Sequence, residues 1–283
     1  MDTGTLSNQH LSVEYATRSL RICGFTPRGG KNLLADLSAM PAVPTPYGDF
    51  SFKGGHRLWH APESMPRTYI PDDTGLHITQ TATGVILETP QEPLTNIRKR
   101  IELVLETNAP RLTLRHALIN DSLWPVTLAP WGITQFRTGG TVIMPLQAEK
   151  ADLAGLLPNR QIAFWQYTDP ADQRLRIRNS AITFAALPVD RSFKIGTFTP
   201  HGWLAYAIDG MLFTKTFGAS QNGNYPDQNC NAEIYGCADF VELESLGAMQ
   251  VVEPGGTAEH TEMWELHPNL DWLPANIRGE AGL

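Results

Sequence analysis

The densest collection of reactive side chains in this sequence is Lys53-Gly54-Gly55-His56-Arg57-Leu58-Trp59-His60-Ala61-Pro62-Glu63. Two glycines, lacking a Cβ, let the backbone turn sharply or approach a ligand closely. Behind them come donors on His56 and Arg57, an indole plate on Trp59 and a carboxylate on Glu63, the groups needed to hold a sugar. The plainer alternative is a strand-to-loop junction whose polar residues face water. A second stretch, Phe240-Val241-Glu242-Leu243-Glu244-Ser245-Leu246, puts two carboxylates on one strand face with Phe240 and Leu246. Like charges so placed repel, and a partly buried one rises in pKa towards the range useful for acid/base work. The alternative there is an exposed outer face. Lys215 alternates in phase with Met211, Phe213 and Phe217, as a cation snorkelling at a strand end or lining a cleft would. Asn231, Glu233 and Tyr235 make a similar mixed face.

Other chemistries have weaker signatures. His56 and His60 are four apart with Glu63 three further on, a helical ligand spacing, but Gly-Gly before and Pro62 after disfavour a helix. With no His-Glu-x-x-His pattern, no metal is expected. Neither a Gly-x-Ser-x-Gly elbow nor a phosphate or dinucleotide loop is present, so no cofactor is expected. Arg98 and Arg100 share a strand face that could meet a phosphate, with Lys99 opposite, and Arg98 is retained as a candidate ligand contact. A net charge of −7 argues against nucleic acid as a partner. No apolar run is long enough to span a bilayer, and the first residues lack a charged and an apolar region, so a cytoplasmic protein without a membrane partner is expected. Three cysteines, Cys23, Cys230 and Cys237, form no Cys-x-x-Cys pair, which fits reduced thiols; a Cys230–Cys237 disulfide is compatible but not implied.

Short strands must position these groups. Among 283 residues, 24 Gly and 21 Pro recur along the chain as turn residues would. Residues 11–15 and 19–23 alternate; residues 75–81 and 84–88 do so around a hairpin turn at Thr81-Ala82-Thr83-Gly84. In residues 96–105, Ile97, Lys99, Ile101 and Leu103 share a face, and residues 111–119 alternate after the turn at Asn108-Ala109-Pro110, predicting a long antiparallel pair. The one helical pattern, residues 146–156, is short and is followed by Pro158. Further strands are expected from residue 161 to residue 266, without repeats or a linker. The expectation is one all-β domain over residues 1–283, a large antiparallel β-sandwich. An edge strand could pair two copies as a homodimer.

The order of these features resembles the galactose mutarotase (aldose 1-epimerase) superfamily, and within it a subfamily marked by Gly-Gly-His-Arg-Leu-Trp-x-Ala-Pro-Glu. The resemblance runs over nearly the whole chain: Asn32-Leu33-Leu34, Gly54 to Trp59, Ala61-Pro62-Glu63, Leu128-Ala129-Pro130-Trp131, Gly139-Gly140, Phe193-Lys194-Ile195-Gly196, Leu212-Phe213-Thr214-Lys215 and Glu262-Met263-Trp264. It implies the galactose mutarotase-like supersandwich and cofactor-free interconversion of sugar anomers. In that reaction a glutamate takes the anomeric proton and a histidine protonates the ring oxygen. The family's Cys-Leu-Glu-Thr-Gln strand is similar to residues 240–244, which places the base on Glu242 and its glutamine neighbour on Glu244. The family's Pro-Val-x-Leu-x-x-His segment is similar to residues 125–131, so Trp131 stands at the histidine position. Either His56 or Glu244 supplies the acid, or the chain does not perform the reaction. The resemblance thus implies a small-molecule carbohydrate ligand, with catalytic candidates Glu242, His56 and Glu244. The ligand-contact candidates are Arg57, Trp59, Glu63, Arg98, Trp131, Lys215 and Glu233. An isomerase is the first reading; a non-catalytic sugar-binding protein and an oligosaccharide lyase or hydrolase are the alternatives.

Overall fold

A computed structural model describes residues 2–282. Its frame is two ten-stranded sheets in which every pairing is antiparallel. At the middle of the first sheet lie, side by side, His56–Ala61, Val126–Arg137, Phe240–Leu246, Ala232–Gly236 and Phe193–Thr197. At the middle of the second lie Met211–Phe217, Thr257–His267, Arg111–Asn120 and Ile97–Leu105. The chain crosses repeatedly from one sheet to the other.

Alternation explains why these segments are strands, and burial gives the faces. Ile97, Lys99, Ile101 and Leu103 are buried while Arg98, Arg100 and Glu102 are half-buried, as the sequence pattern predicts. The expected pair of residues 96–105 and 111–119 forms in register, with Ile101 opposite His116, and the hairpin at Thr81 joins His77–Gln80 to Gly84–Glu88. Leu58, Phe136, Val241, Leu243, Ile195 and Ile234 from the first sheet meet Leu114, Phe213 and Trp264 from the second in the main apolar core. The central strands of the first sheet are buried on both faces. Something other than solvent covers the outer side of that sheet, and this is where the cleft lies.

One expectation fails. Residues 146–156 form turns and bends rather than a helix. Leu153, Leu156 and Leu157 are all exposed, so a helix there would bury no apolar face, the main source of helix stability in proteins. Asp152 instead accepts the backbone N–H groups of Ala154, Leu156 and Leu157. Of the helices that do form, Ala275–Ala281 seats Ile277 against Leu273 and Trp203, and the sequence pattern gave no expectation of it. Cys23, Cys230 and Cys237 are free thiols. Among the described residues, no helix is long and apolar enough to cross a membrane.

Gly54 and Gly55 have φ of 82° and 71°, the left-handed region that favours glycine. A Cβ on Gly54 would collide with the carbonyl oxygen of Ala35, and one on Gly55 with that of Ile22. The glycine pair therefore lets two neighbouring segments close onto the start of the strand that carries Arg57 and Trp59. Gly55→Ala should cost ~3 kcal/mol in urea unfolding, the upper end of the ordinary range. Gly29→Ala, at φ 73° with open space around it, should cost only ~1–2 kcal/mol.

Candidate active site

Strand register brings the cleft together. Across neighbouring strands, Arg57 lies opposite Ile133, Ile133 opposite Glu244, Glu244 opposite Glu233, and Glu233 opposite Gly196. One step along, Gln135 pairs with Glu242, Glu242 with Tyr235, and Tyr235 with Lys194. Arg57, Trp59, Trp131, Ile133, Lys194, Tyr235 and Glu242 all line a cleft of about 740 Å³ on the outer side of the first sheet. A neighbouring hollow of about 360 Å³ shares Glu63, Tyr69, Trp131, Trp165 and Lys194 with it and adds Asp227. A void of this size with aromatic walls and a few convergent polar groups is the usual form of a small-molecule site.

Glu242 is the carboxyl at the cleft floor. Its Oε1 accepts from Gln135 Nε2 at 2.8 Å and from Arg57 Nη2 at 3.2 Å. Burial pushes its pKa up to about 7; Arg57 opposes the rise and the Glu244 carboxylate adds to it. The Arg57 guanidinium lies 4.2 Å from the centre of the Trp59 ring, a stacked cation–π contact.

Beneath the floor is a second charge group. Lys194 Nζ lies 2.8 Å from Glu233 Oε2 and 2.9 Å from Glu244 Oε2. Its ammonium sits between the rings of Trp131, at 4.6 Å, and Trp165, at 4.8 Å. Trp131 Nε1 donates to Glu244 Oε2 at 2.8 Å. Burial alone would strip the charge from Lys194, but Glu233 and Glu244 outweigh it and hold the pKa well above the ordinary lysine value. Burial raises the Glu233 carboxyl well above its ordinary value; Lys194 opposes the rise, and Glu244 and Asp227 add to it. Trp131 and Lys194 line the cleft, whereas Glu233 and Glu244 are fully buried beneath them.

His56 points the other way. Adjacent residues on a strand face opposite sides of the sheet, so with Arg57 in the cleft, His56 faces the second sheet and is fully buried. Its Nε2 lies 2.8 Å from His116 Nε2 and its Nδ1 2.9 Å from Thr134 Oγ1. His116 Nδ1 faces the His260 carbonyl oxygen at 3.0 Å and must donate to it, which makes His116 Nε2 an acceptor and His56 Nε2 the donor. Lys215 is in the same interior layer. Its Nζ donates to the carbonyls of Gly132 and Leu243 at 2.8 and 3.0 Å, and lies 3.0 Å from Glu262 Oε1. Burial drives His56 and His116 well towards the neutral form, and His260 down to about 3. His56, His116 and Glu262 offer ligand atoms within 4.8 Å of one another. The Lys215 ammonium already supplies the positive charge a metal would bring, and the imidazole nitrogens are engaged with one another, so this group fits an ion pair better than an ion.

The remaining sequence candidates separate in the same way. Trp59 and Trp131 are cleft walls, and Glu63 is an exposed rim residue whose carboxylate accepts from the Tyr69 hydroxyl. Arg98 is half-buried on the face of its strand opposite the interior, held by Asp121 at 2.8 Å and Glu88 at 2.9 Å. The structure thus groups Arg57, Trp59, Glu63, Trp131 and Glu242 at the cleft, puts Glu233 and Glu244 under it, and removes His56, Lys215 and Arg98. Lys194 and Gln135 were not among the sequence candidates. Alternation could have found both: Gln135 is in phase with Trp131 and Ile133, and Lys194 is out of phase with buried Phe193 and Ile195.

No family model matches the sequence, and no curated protein does. Solved structures do. A galactose mutarotase-like protein from Lactobacillus casei aligns over 94% of this chain and 100% of its own, at 10% identity and a TM-score of 0.64. A putative aldose 1-epimerase from Escherichia coli aligns over 94% and 99%, at 12% identity and 0.59. A TPR-domain-containing protein from Parabacteroides distasonis aligns over 96% of this chain but 49% of its own, at 13% identity and 0.66. The fold is the galactose mutarotase-like sandwich. At such identities the likeness extends to the fold alone.

Lys194→Met would leave two buried carboxyls without their cation. It should destabilise the protein by about 3–5 kcal/mol at pH 7. The loss should shrink as the pH is lowered, because Glu233, whose carboxyl burial already raises, can then take up a proton; unfolding curves at two pH values check this.

Proposed function

We propose that this chain is a carbohydrate-active protein of the aldose 1-epimerase type, acting on a reducing sugar, within the subfamily that its Gly-Gly-His-Arg-Leu-Trp-x-Ala-Pro-Glu stretch resembles. The observation that carries this reading is Glu242: a cleft-floor carboxyl whose pKa of about 7 suits a base that gains and returns a proton near neutrality. Glu242 takes the anomeric hydroxyl proton, the ring opens, and the aldehyde recloses on either face. The developing charge on the ring oxygen needs a donor on the cleft side. His56 faces the interior and Glu244 lies under Trp131, so neither meets that need directly. The Lys194 ammonium, which lines the cleft, is the group suited to it. Glu233 and Glu244 then act as positioning residues that hold Lys194 and Trp131, while Trp59 and Trp131 stack on the sugar and Arg57 orients Glu242. The domain is taken as residues 1–283, because the strands of both sheets interleave along the chain.

A second reading, sugar binding without turnover, has its own supporting observation. Trp131 stands where the family carries a histidine, and Lys194 is held so firmly by two carboxyls that it is a reluctant acid.

Anomeric exchange measured by proton NMR over a panel of reducing sugars separates the two. The epimerase reading expects exchange whose rate rises with pH to a plateau above about 7, as the Glu242 carboxyl with that pKa ionises. Glu242→Gln should lower the rate by about 10²–10⁴. Shift changes on sugar addition, with no exchange at any pH, would instead make the chain a binding protein.

A further inference from the structure

The charges around the cleft are unequally matched. Its two lining cations are both engaged within the protein: Arg57 with Glu242, and Lys194 with Glu233 and Glu244. Three further carboxyls, Glu63, Asp227 and Asp239, line the same two hollows. Among the described residues none of these three has a cationic side chain within ion-pair distance. Glu63 and Asp227 come from separate loops, one following the strand His56–Ala61 and the other preceding Ala232–Gly236, and both line the smaller hollow with Tyr69, Trp131 and Trp165.

Donors in the larger hollow point to a ligand independently. Arg57 and Trp59 are each only 3% exposed, and Arg57 Nε and Nη1 and Trp59 Nε1 have no hydrogen-bond acceptor. Buried donors are almost always matched, so these call for acceptor oxygens supplied from outside. The full set is therefore unmatched donors at the floor and carboxylates without a cation at the rim, with aromatic faces between them. Of the rim groups, Glu63 accepts from the Tyr69 hydroxyl, and Asp227 is hydrogen-bonded to Glu233 and raised by burial. A ligand complementary to all three carries hydroxyl or ring oxygens together with a positive charge.

We propose that the cleft selects a sugar bearing a protonated amine, with the ammonium held at Glu63 and Asp227 and the oxygens on Arg57 and Trp59. This rests on the carbohydrate reading above and narrows its substrate class. An ammonium is attracted by the carboxylates and by the π faces of the neighbouring rings. A uronate or a sugar phosphate would instead bring negative charge against three carboxyls that no cation offsets, with both cleft cations already engaged. Asp227 thereby becomes a specificity-determining residue.

Calorimetric titration at low salt and pH 6.5 tests the proposal. The probes are glucosamine, galactosamine and mannosamine, their N-acetyl derivatives, the parent hexoses, glucuronate and glucose 6-phosphate. At least one amine should bind about tenfold more tightly than its N-acetyl derivative and parent hexose, the scale of one modest charge contact. That ratio should fall towards one in Glu63→Gln/Asp227→Asn, whose folding is checked by its unfolding midpoint. Equal affinity for amine and parent hexose, or tighter binding of the uronate or phosphate, would overturn the proposal and leave the carbohydrate reading standing. A panel in which no sugar binds would overturn both.

Discussion

The cleft depends on a mismatch of buried charge. Arg57 and Lys194 are two cations; Glu233, Glu242 and Glu244 are three carboxyls, all in low-exposure positions on neighbouring strands. A buried ion is tolerated when its charge is matched nearby and is costly when it is not. With two cations for three acids, the group is most stable when one proton is shared among the carboxyls. Geometry decides where that proton is exchangeable. Glu233 and Glu244 are sealed beneath Trp131 and Lys194, whereas Glu242 opens on the cleft. Burial raises Glu233 well above the ordinary carboxyl value and Glu242 to about 7, and of the two only Glu242 can exchange its proton with a ligand in the cleft.

The opposite side of the same strands carries a different arrangement. His56, Thr134 and Ser245 point inward, while their chain neighbours Arg57, Gln135 and Glu244 belong to the cleft side. Inward, Lys215 and Glu262 are matched one to one, and hydrogen bonds satisfy the rest: Ser245 Oγ donates to Glu262 Oε1 at 2.6 Å, and Trp264 Nε1 donates to Oε2 at 2.7 Å. Room for this depends on Gly132, since a Cβ there would collide with Glu262. A satisfied polar network of this kind fixes how the two sheets sit on each other. The cleft residues then stand on a layer that is held from behind, which is what a site needing sub-ångström placement requires.

The all-β architecture was legible because a period of two survives in nearly every strand, as in Ile97, Lys99, Ile101 and Leu103. The site was legible in part. The sequence singles out Arg57, Trp59, Trp131 and Glu242 as polar or aromatic groups in the right strands. It also offers His56 beside Arg57, although neighbours on a strand cannot both face one cleft. Periodicity says that such neighbours diverge; only the packing of the second sheet says which of them turns inward. Lys215 misleads for the same reason, because a lysine among apolar residues reads equally as cleft or interior ion pair. Trp165 and Asp227 lie in irregular segments, where no period marks a face, and only the folded chain brings them to the hollow.

The account is tested most directly by the titration of Glu242 itself. In protein carrying ¹³C-labelled glutamate, the side-chain carboxyl signal of Glu242, assigned by its loss in Glu242→Gln, would be followed against pH without ligand. A midpoint near 7 is expected. Lys194→Met should move it higher, because the Lys194 charge favours the ionised form. A midpoint at the ordinary value of about 4.3, unmoved by loss of Lys194, would contradict the charge mismatch and the role of Glu242 as a base near neutrality.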